Sequence, residues 1–403
     1  MGVRPPTRYR SNQATTHTQP SEKSLKITDI KTYHCHDGNR NSVFLQVFTD
    51  EGIVGNGQPY SIGPDEAIIA TVESSKHWFI GEDPSRVEWL LRRGKNTMRF
   101  PLGAVEWSFL SGVDHALWDI AGKRAGVPIY KLFGGPTRDR VRIYHQIHGD
   151  TAQEQADEAT ALLAEGYTGF KASMFPPEWQ QLPWRSVVRE VANRIGTLRK
   201  TVGDHIDLAV DMHSKLREPM RAKELSAALQ EFRLMFVEEP VRPDYIPSTA
   251  RLRRELRVPI ATGENLFGIT QFAELFDQDA VDIIQPDLLV CGGLLEGRKI
   301  AAMAEANYVT VAPHNPLGLL STALGVHYAA SINNFIILEY HGDHKRDRAK
   351  FVHDMWEPVN GYFELPTAPG IGLELNMEAI AANPPKHWNR GFPVDDQGAP
   401  AFI

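Results

Sequence analysis

The strongest constraint on this chain is a rhythm in its second half. Short β-rich runs at 141–147, 169–173, 206–213, 234–239, 260–264, 281–287, 309–314 and 335–340 alternate with stretches of helical periodicity. Eight such runs, with helical stretches in the seven intervals between them over about 200 residues, predict a (β/α)₈ barrel. The competing α/β architecture is a doubly wound open sheet, which needs a glycine-rich phosphate turn after its first strand. No run here is followed by GxGxxG or by a P-loop, so the barrel is the expectation.

The first half follows another grammar. Residues 1–24 are polar, basic and rich in Pro, Ser and Thr, with little to bury, and read as a disordered leader. Alternating runs at 25–30 and 42–49, a turn at Asp50-Glu51-Gly52 and a third run from Ile53 predict a small antiparallel sheet; a helical pattern from Leu110 to Gly126 follows. Strands first and helices after make an α+β domain over 25–140. The barrel is expected over 141–345. A Pro- and Gly-punctuated tail, 346–403, is expected to return to the N-terminal domain.

Composition narrows the function classes. The 403 residues are 42% apolar and 23% charged, which excludes a disordered or fibrous chain. A net charge of −7 offers no positive field for nucleic acid. Cys35 and Cys291 are too few for a disulfide framework, and no apolar run approaches a membrane span. A cytoplasmic protein with a small-molecule substrate, no nucleic-acid partner and no membrane partner is expected.

In such a barrel the chemistry sits at the C-terminal ends of the strands. Seven successive runs end in ionisable residues: Lys171, Asp211 with His213, Glu238-Glu239, Glu264, Asp287, His314 and Glu339. Ionisable groups are costly to bury unless paired or metal-bound. Asp211, one of Glu238 and Glu239, and Glu264 end three neighbouring strands as hard oxygen donors without thiolates, a set suited to Mg²⁺ first and Mn²⁺ second. Strand alternation lets only one of the two glutamates point inward. Asp211 and His213, two residues apart, are expected on one face of one strand. Asp287 and His314 end consecutive strands and form a general-base pair, the aspartate setting the imidazole tautomer. A Ser-His-Asp reading fails because no GxSxG elbow occurs.

Together these groups address the removal of a proton next to a carboxylate. The carbanion piles a second negative charge onto the same two oxygens. A divalent cation, aided by Lys171 and, if its carboxyl is protonated, by Glu339, would stabilise the enediolate. A base is needed at the carbon and, for elimination, an acid near the β-hydroxyl.

The blocks Val210-Asp211-Met212-His213, Phe236-Val237-Glu238-Glu239-Pro240, Thr262-Gly263-Glu264-Asn265, Ile284-Gln285-Pro286-Asp287, Cys291-Gly292-Gly293-Leu294 and Ala312-Pro313-His314-Asn315-Pro316 resemble the mandelate racemase subgroup of the enolase superfamily, as does Asp114-His115-Ala116-Leu117-Trp118-Asp119 in the first domain. The resemblance implies that Glu238 joins Asp211 and Glu264 as metal ligand, that Asp287–His314 is the base, and that Glu339 donates a hydrogen bond to the substrate carboxylate. It implies a homo-oligomer, often an octamer. Dehydratases of the galactonate type carry a histidine two residues after the first ligand, as His213 stands here, and use it to expel the 3-hydroxyl. Racemases carry Lys-x-Lys at the end of strand two, whereas this chain has Lys171-Ala172-Ser173. The function expected is Mg²⁺-dependent dehydration of a galactonate-like aldonate to a 2-keto-3-deoxy acid. An epimerase, racemase or cycloisomerase is the enzymatic alternative, and a non-catalytic binding or scaffold protein the alternative from another class. The lid stretch 97–107 lacks the Gly-Gly-Pro pattern of galactonate dehydratases, and 56–60 is expected to form a second loop over the site.

Overall fold

The computed structural model describes residues 25–61, 63–387 and 391–401; the basic leader at 1–24 lies outside them. The N-terminal part opens with an antiparallel meander of β1 (Ile27–His36), β2 (Asn41–Thr49) and β3 (Val54–Gly57), in the order β1-β2-β3. Its apolar face, including Ile30, Leu45 and Val47, packs on Phe109, Val113, Leu117 and Ile120 of the helix Ala104–Ala125. The approach is close because β3 carries glycine. A Cβ at Gly55 would lie 2.0 Å from the Ala116 carbonyl oxygen, and one at Gly57 would lie 2.0 Å from that of Gly112. The Glu106 carboxylate accepts the Gly103 N–H at 2.9 Å at the start of this helix, and Gly126 ends it in the left-handed region, at φ 69.

The second half is the expected barrel. Its strands are β4 (Arg140–Ile147), β5 (Gly169–Ser173), β6 (Asp207–Asp211), β7 (Val237–Glu238), β8 (Ile260–Thr262), β9 (Ile283–Ile284), β10 (Thr310–Val311) and β11 (Leu338–Tyr340). Strands β4 to β10 pair in parallel in chain order, and β11 pairs in parallel with β4. An isolated parallel bridge between Val311 of β10 and Phe335, three residues before β11, brings the two ends of the sheet together. One α-helix occupies each of the seven intervals, from Ala152–Ala164 to Leu320–Ser331. Inside, Tyr144, Ala209, Phe236, Ala261, Ile283, Ala312 and Ile337 pack into one apolar layer. That layer fills the barrel with hydrocarbon, so the charged residues are gathered at one end of it.

The tail serves both halves. It forms β12 (Val352–His353), β13 (Tyr362–Glu364) and β14 (Glu374–Leu375). β12 pairs with β14, whereas β13 adds antiparallel to β4 and so extends the barrel rather than the first domain. Beyond them the chain reaches the β1–β2 hairpin, where His36 N–H donates to the Asn383 carbonyl at 3.0 Å and Asn41 Nδ2 to that of Lys386 at 2.8 Å. No helix among the described residues is long and apolar enough to cross a membrane.

Candidate active site

Each expected side chain reaches the C-terminal mouth of the barrel for a local reason. On β5, Lys171 is 2% exposed and sits over the Tyr144 ring. Its ammonium lies 2.7 Å from Glu238, 2.8 Å from Glu339 and 3.3 Å from Asp211. Burial alone would favour the neutral amine, but these three carboxylates, Glu238 foremost, hold its pKa well above the usual lysine value.

β6 ends at Asp211, not at His213. Asp211 Oδ1 accepts the His213 N–H at 2.7 Å, and the chain turns through the left-handed region at His213 (φ 50) and Ser214 (φ 53). This turn brings His213 Nε2 to 3.3 Å from Asp211 Oδ2. The expected neighbourhood is therefore correct, but strand alternation is not its cause, since the backbone has left the strand by that point.

The two adjacent glutamates part company. Glu238 faces Lys171 and accepts from Gln285 Nε2 at 2.7 Å. Glu239, at φ 42, accepts from Thr262 Oγ1 at 2.6 Å, Gly263 N–H at 3.0 Å and Ser214 Oγ at 2.6 Å. Its carboxylate is thus saturated by donors that tie the ends of β6, β7 and β8 together.

His314, after β10, bonds through Nδ1 to Asp287 Oδ2 at 2.8 Å. Asp287 is itself held by the Leu289 N–H at 2.7 Å on its other oxygen. His314 Nε2 faces Glu264 at 3.2 Å and Glu339 at 4.0 Å. Burial disfavours the imidazolium, but Glu264, Glu339 and Asp287 outweigh it and raise the pKa to about 10. Burial pushes Glu264 up to about 7, with His314 opposing.

Glu339 accepts from Lys171, from the Asn315 N–H at 2.7 Å and from His341 Nε2 at 3.2 Å. Burial would raise its pKa, yet Lys171 and His314 hold it well below the usual carboxylate range. Every named contact to it comes from a cation or an N–H group, so in this arrangement it acts as an acceptor.

These groups border a cavity of about 620 Å³. His213, Glu264 and His314 form its barrel wall, backed by Asp211, Asp287 and Glu339. Its roof comes from the N-terminal part: Asn39, Arg40 and Asn41 at the β1–β2 turn, and Tyr60 beyond β3. Of the stretch 97–107, Ala104 alone of the described residues reaches this wall. The helix already begins there, and Trp107 points instead to a separate cavity of about 270 Å³. The β1–β2 turn was not singled out from the sequence, although an arginine between Asn39 and Asn41 in a two-strand connection was the available signal.

The donor set fits a hard divalent cation. Among the described residues no three His, Cys, Asp or Glu side chains converge into a ready-made metal cage. Asp211 and Glu238 close instead on the Lys171 ammonium. They nonetheless stand side by side in register on β6 and β7, with Glu264 just past β8. Burial and Asp211 push Glu238 well above the usual carboxylate range, and buried Glu264 Oε2 makes no hydrogen bond. Repulsion between crowded carboxylates is relieved by a cation, and Glu264 Oε2, which faces His314 at 3.2 Å without a hydrogen bond, keeps lone pairs to offer one.

Comparison with known proteins agrees with this architecture. Residues 18–134 match the model of the mandelate racemase / muconate lactonizing enzyme N-terminal domain, and 154–379 match that of the enolase C-terminal domain-like family. A D-galactonate dehydratase of Xanthomonas euvesicatoria is 34% identical over 374 residues, covering 91% of this chain and 97% of its own length. One from Ralstonia pickettii is also 34% identical, covering 88% and 94%. A crystal structure of an Agrobacterium radiobacter enolase, provisionally named a galactarate dehydratase and bound to sodium and L-malate, superposes with a TM-score of 0.89 at 37% identity, covering 94% of this chain and 100% of its own. The chain belongs to the mandelate racemase / muconate lactonizing enzyme family of the enolase superfamily.

Proposed function

We propose that this protein is an acid-sugar dehydratase acting on a galactonate- or galactarate-like acid. The observation that carries the reading is the His314 imidazole, fixed by Asp287 on one nitrogen and presented to the cavity on the other. Asp287 accepts a hydrogen bond from Nδ1–H, and a cation on Glu264 would offset the charge that does most to raise the ring's pKa, so that Nε2 is left unprotonated to take the C2 proton. A divalent cation such as Mg²⁺, held by Asp211, Glu238 and Glu264, supplies Lewis-acid stabilisation of the charge that gathers on the substrate carboxylate. Lys171 keeps a fixed positive charge beside those carboxylates in a site screened from water. His213, on the cavity wall, passes a proton to the departing 3-hydroxyl. The enol left behind tautomerises to a 2-keto-3-deoxy acid.

Two further points support elimination over racemisation. Relatives on the same scaffold are named dehydratases. Where a racemase of this resemblance would carry a second lysine, Ser173 stands, and its Oγ accepts from Gln146 Nε2 at 3.1 Å. No base occupies that position. The test is solvent exchange in deuterated water with Mg²⁺ and a panel of sugar acids. The natural chain should exchange C2 hydrogen and release 2-keto acid; His314→Asn should do neither. Exchange that persists in His314→Asn overturns the base assignment.

A further inference from the structure

Among the described residues, Arg40 has no charged partner in this cavity. It is partly buried at the tip of the β1–β2 turn and lines the site with His213, Glu264 and His314. Among the described residues its guanidinium makes no ion pair or side-chain hydrogen bond. The other charged residues on the roof and rim are already matched. Arg242 pairs with Asp244 at 2.7 Å, and Asp65 faces His34 at 3.3 Å. A guanidinium left unpaired where solvent access is restricted is costly unless an anion arrives with the substrate.

The turn that carries Arg40 is rigidly built. Asp37 Oδ1 accepts the N–H groups of Asn39 at 2.9 Å and Arg40 at 2.7 Å, and Asp37 N–H donates to the Arg40 carbonyl at 2.8 Å. Asp37 is in turn 3.9 Å from Arg348, which donates to the Leu317 carbonyl at 2.7 Å and forms an ion pair with Asp343 at 2.6 Å. The hairpin tip is thereby tied to the barrel segments that follow β10 and β11. Arg40 is also near enough to Tyr60 to oppose the rise that burial imposes on that phenol's pKa.

We infer that Arg40 is a specificity-determining residue that binds the far carboxylate of the substrate, so that the acid sugar taken is a diacid of the aldarate class rather than an aldonate. This rests on the dehydratase reading above. The reacting carboxylate belongs at the barrel mouth near Lys171, and the opposite end of an extended six-carbon chain then meets the roof. A carboxylate there accepts a two-pronged hydrogen bond from the guanidinium. An aldonate ends in a neutral CH₂OH, which leaves the charge unmatched. A terminal phosphate is the other anionic end group. Its dianion calls for more donors than the single unpaired cation found among the described residues of this wall, so the carboxylate is favoured.

The test uses the full chain with Mg²⁺ and matched six-carbon aldarates, aldonates and 6-phosphoaldonates, reading kcat and KM for 2-keto acid formation. The natural chain should prefer an aldarate. In Arg40→Met the ratio of aldarate to aldonate kcat/KM should fall about tenfold to a hundredfold, mostly through KM, as expected for loss of one charged hydrogen-bonded pair. Arg40→Lys, which keeps the charge but not the fork, should retain part of the preference. Preference for an aldonate or a 6-phosphoaldonate overturns this inference alone, as does an Arg40→Met chain whose ratio is unchanged. Loss of water from no member of the panel overturns the dehydratase reading itself.

Discussion

At the residue scale, the site depends on orientation as much as on charge. Asp287 is held on one oxygen by the Leu289 N–H and offers the other to His314 Nδ1. An asparagine at 287 keeps an acceptor for Leu289 and turns its amide N–H₂ toward His314. The ring must then carry its proton on Nε2, the atom that should accept one. Asp287→Asn is therefore expected to lower kcat by about 10³-fold or more with little change in melting temperature, a pattern expected of a wrong tautomer rather than a broken fold. A fall of only a few fold in steady-state rate would argue against the pair as the base. Residue types at strand ends were legible in the sequence because ionisable groups are rare where strands point into a barrel. The rotamers were not. Whether Glu238 or Glu239 faced inward depended on hydrogen bonds to Glu239 from Thr262, Gly263 and Ser214 at the neighbouring strand ends, and His213 lies beside Asp211 because of the left-handed turn that follows β6.

At the scale of elements, strand β3 and the helix Ala104–Ala125 show how the roof is fixed. Gly57 lies so close to the helix that a methyl group there would meet the Gly112 carbonyl oxygen at 2.0 Å, a contact with backbone that cannot rotate away. Gly57→Ala should cost about 1–3 kcal/mol in chemical denaturation, the usual penalty for overpacking. It should also weaken substrate binding, because Tyr60, three residues beyond the end of this strand, lines the cavity. Full stability in that variant would mean the sheet can slide on the helix. The elements themselves were largely readable, since alternation and helical periodicity are local signals. Boundaries shifted where a cap or pairing intervened: β1 runs on to His36 because it pairs with β2 through the His36–Asn41 position. The helix starts at Ala104 rather than Leu110, with Glu106 capping the turn before it.

For the whole molecule, His327 marks the joint between the barrel, the first domain and the tail. It is fully buried on the last barrel helix, accepts the Tyr130 N–H on Nδ1 at 3.4 Å and donates from Nε2 to the Ile371 carbonyl at 2.9 Å. One acceptor and one donor require the neutral ring, and burial lowers its pKa to about 4 from an ordinary 6.5. Between those values the unfolded chain binds a proton that the folded chain refuses. The contribution is therefore present above about pH 6.5 and is lost as pH falls toward 4, by about 3 kcal/mol in all. Compared with His327→Gln, the stability advantage of the natural chain should shrink by about 2 kcal/mol between pH 7 and pH 4.5 in denaturant titrations, the rest being lost at lower pH; a constant difference would refute the assignment. The eight-strand rhythm and the ordered acidic and histidine blocks were determined by sequence alone, because strand and helix periods and strand-end chemistry are written in neighbouring residues. The path of the tail onto both β4 and the hairpin, the roof over the cavity and the unpaired Arg40 within it were decided only by tertiary structure. They join residues hundreds of positions apart, and long-range packing leaves no periodic trace in the chain.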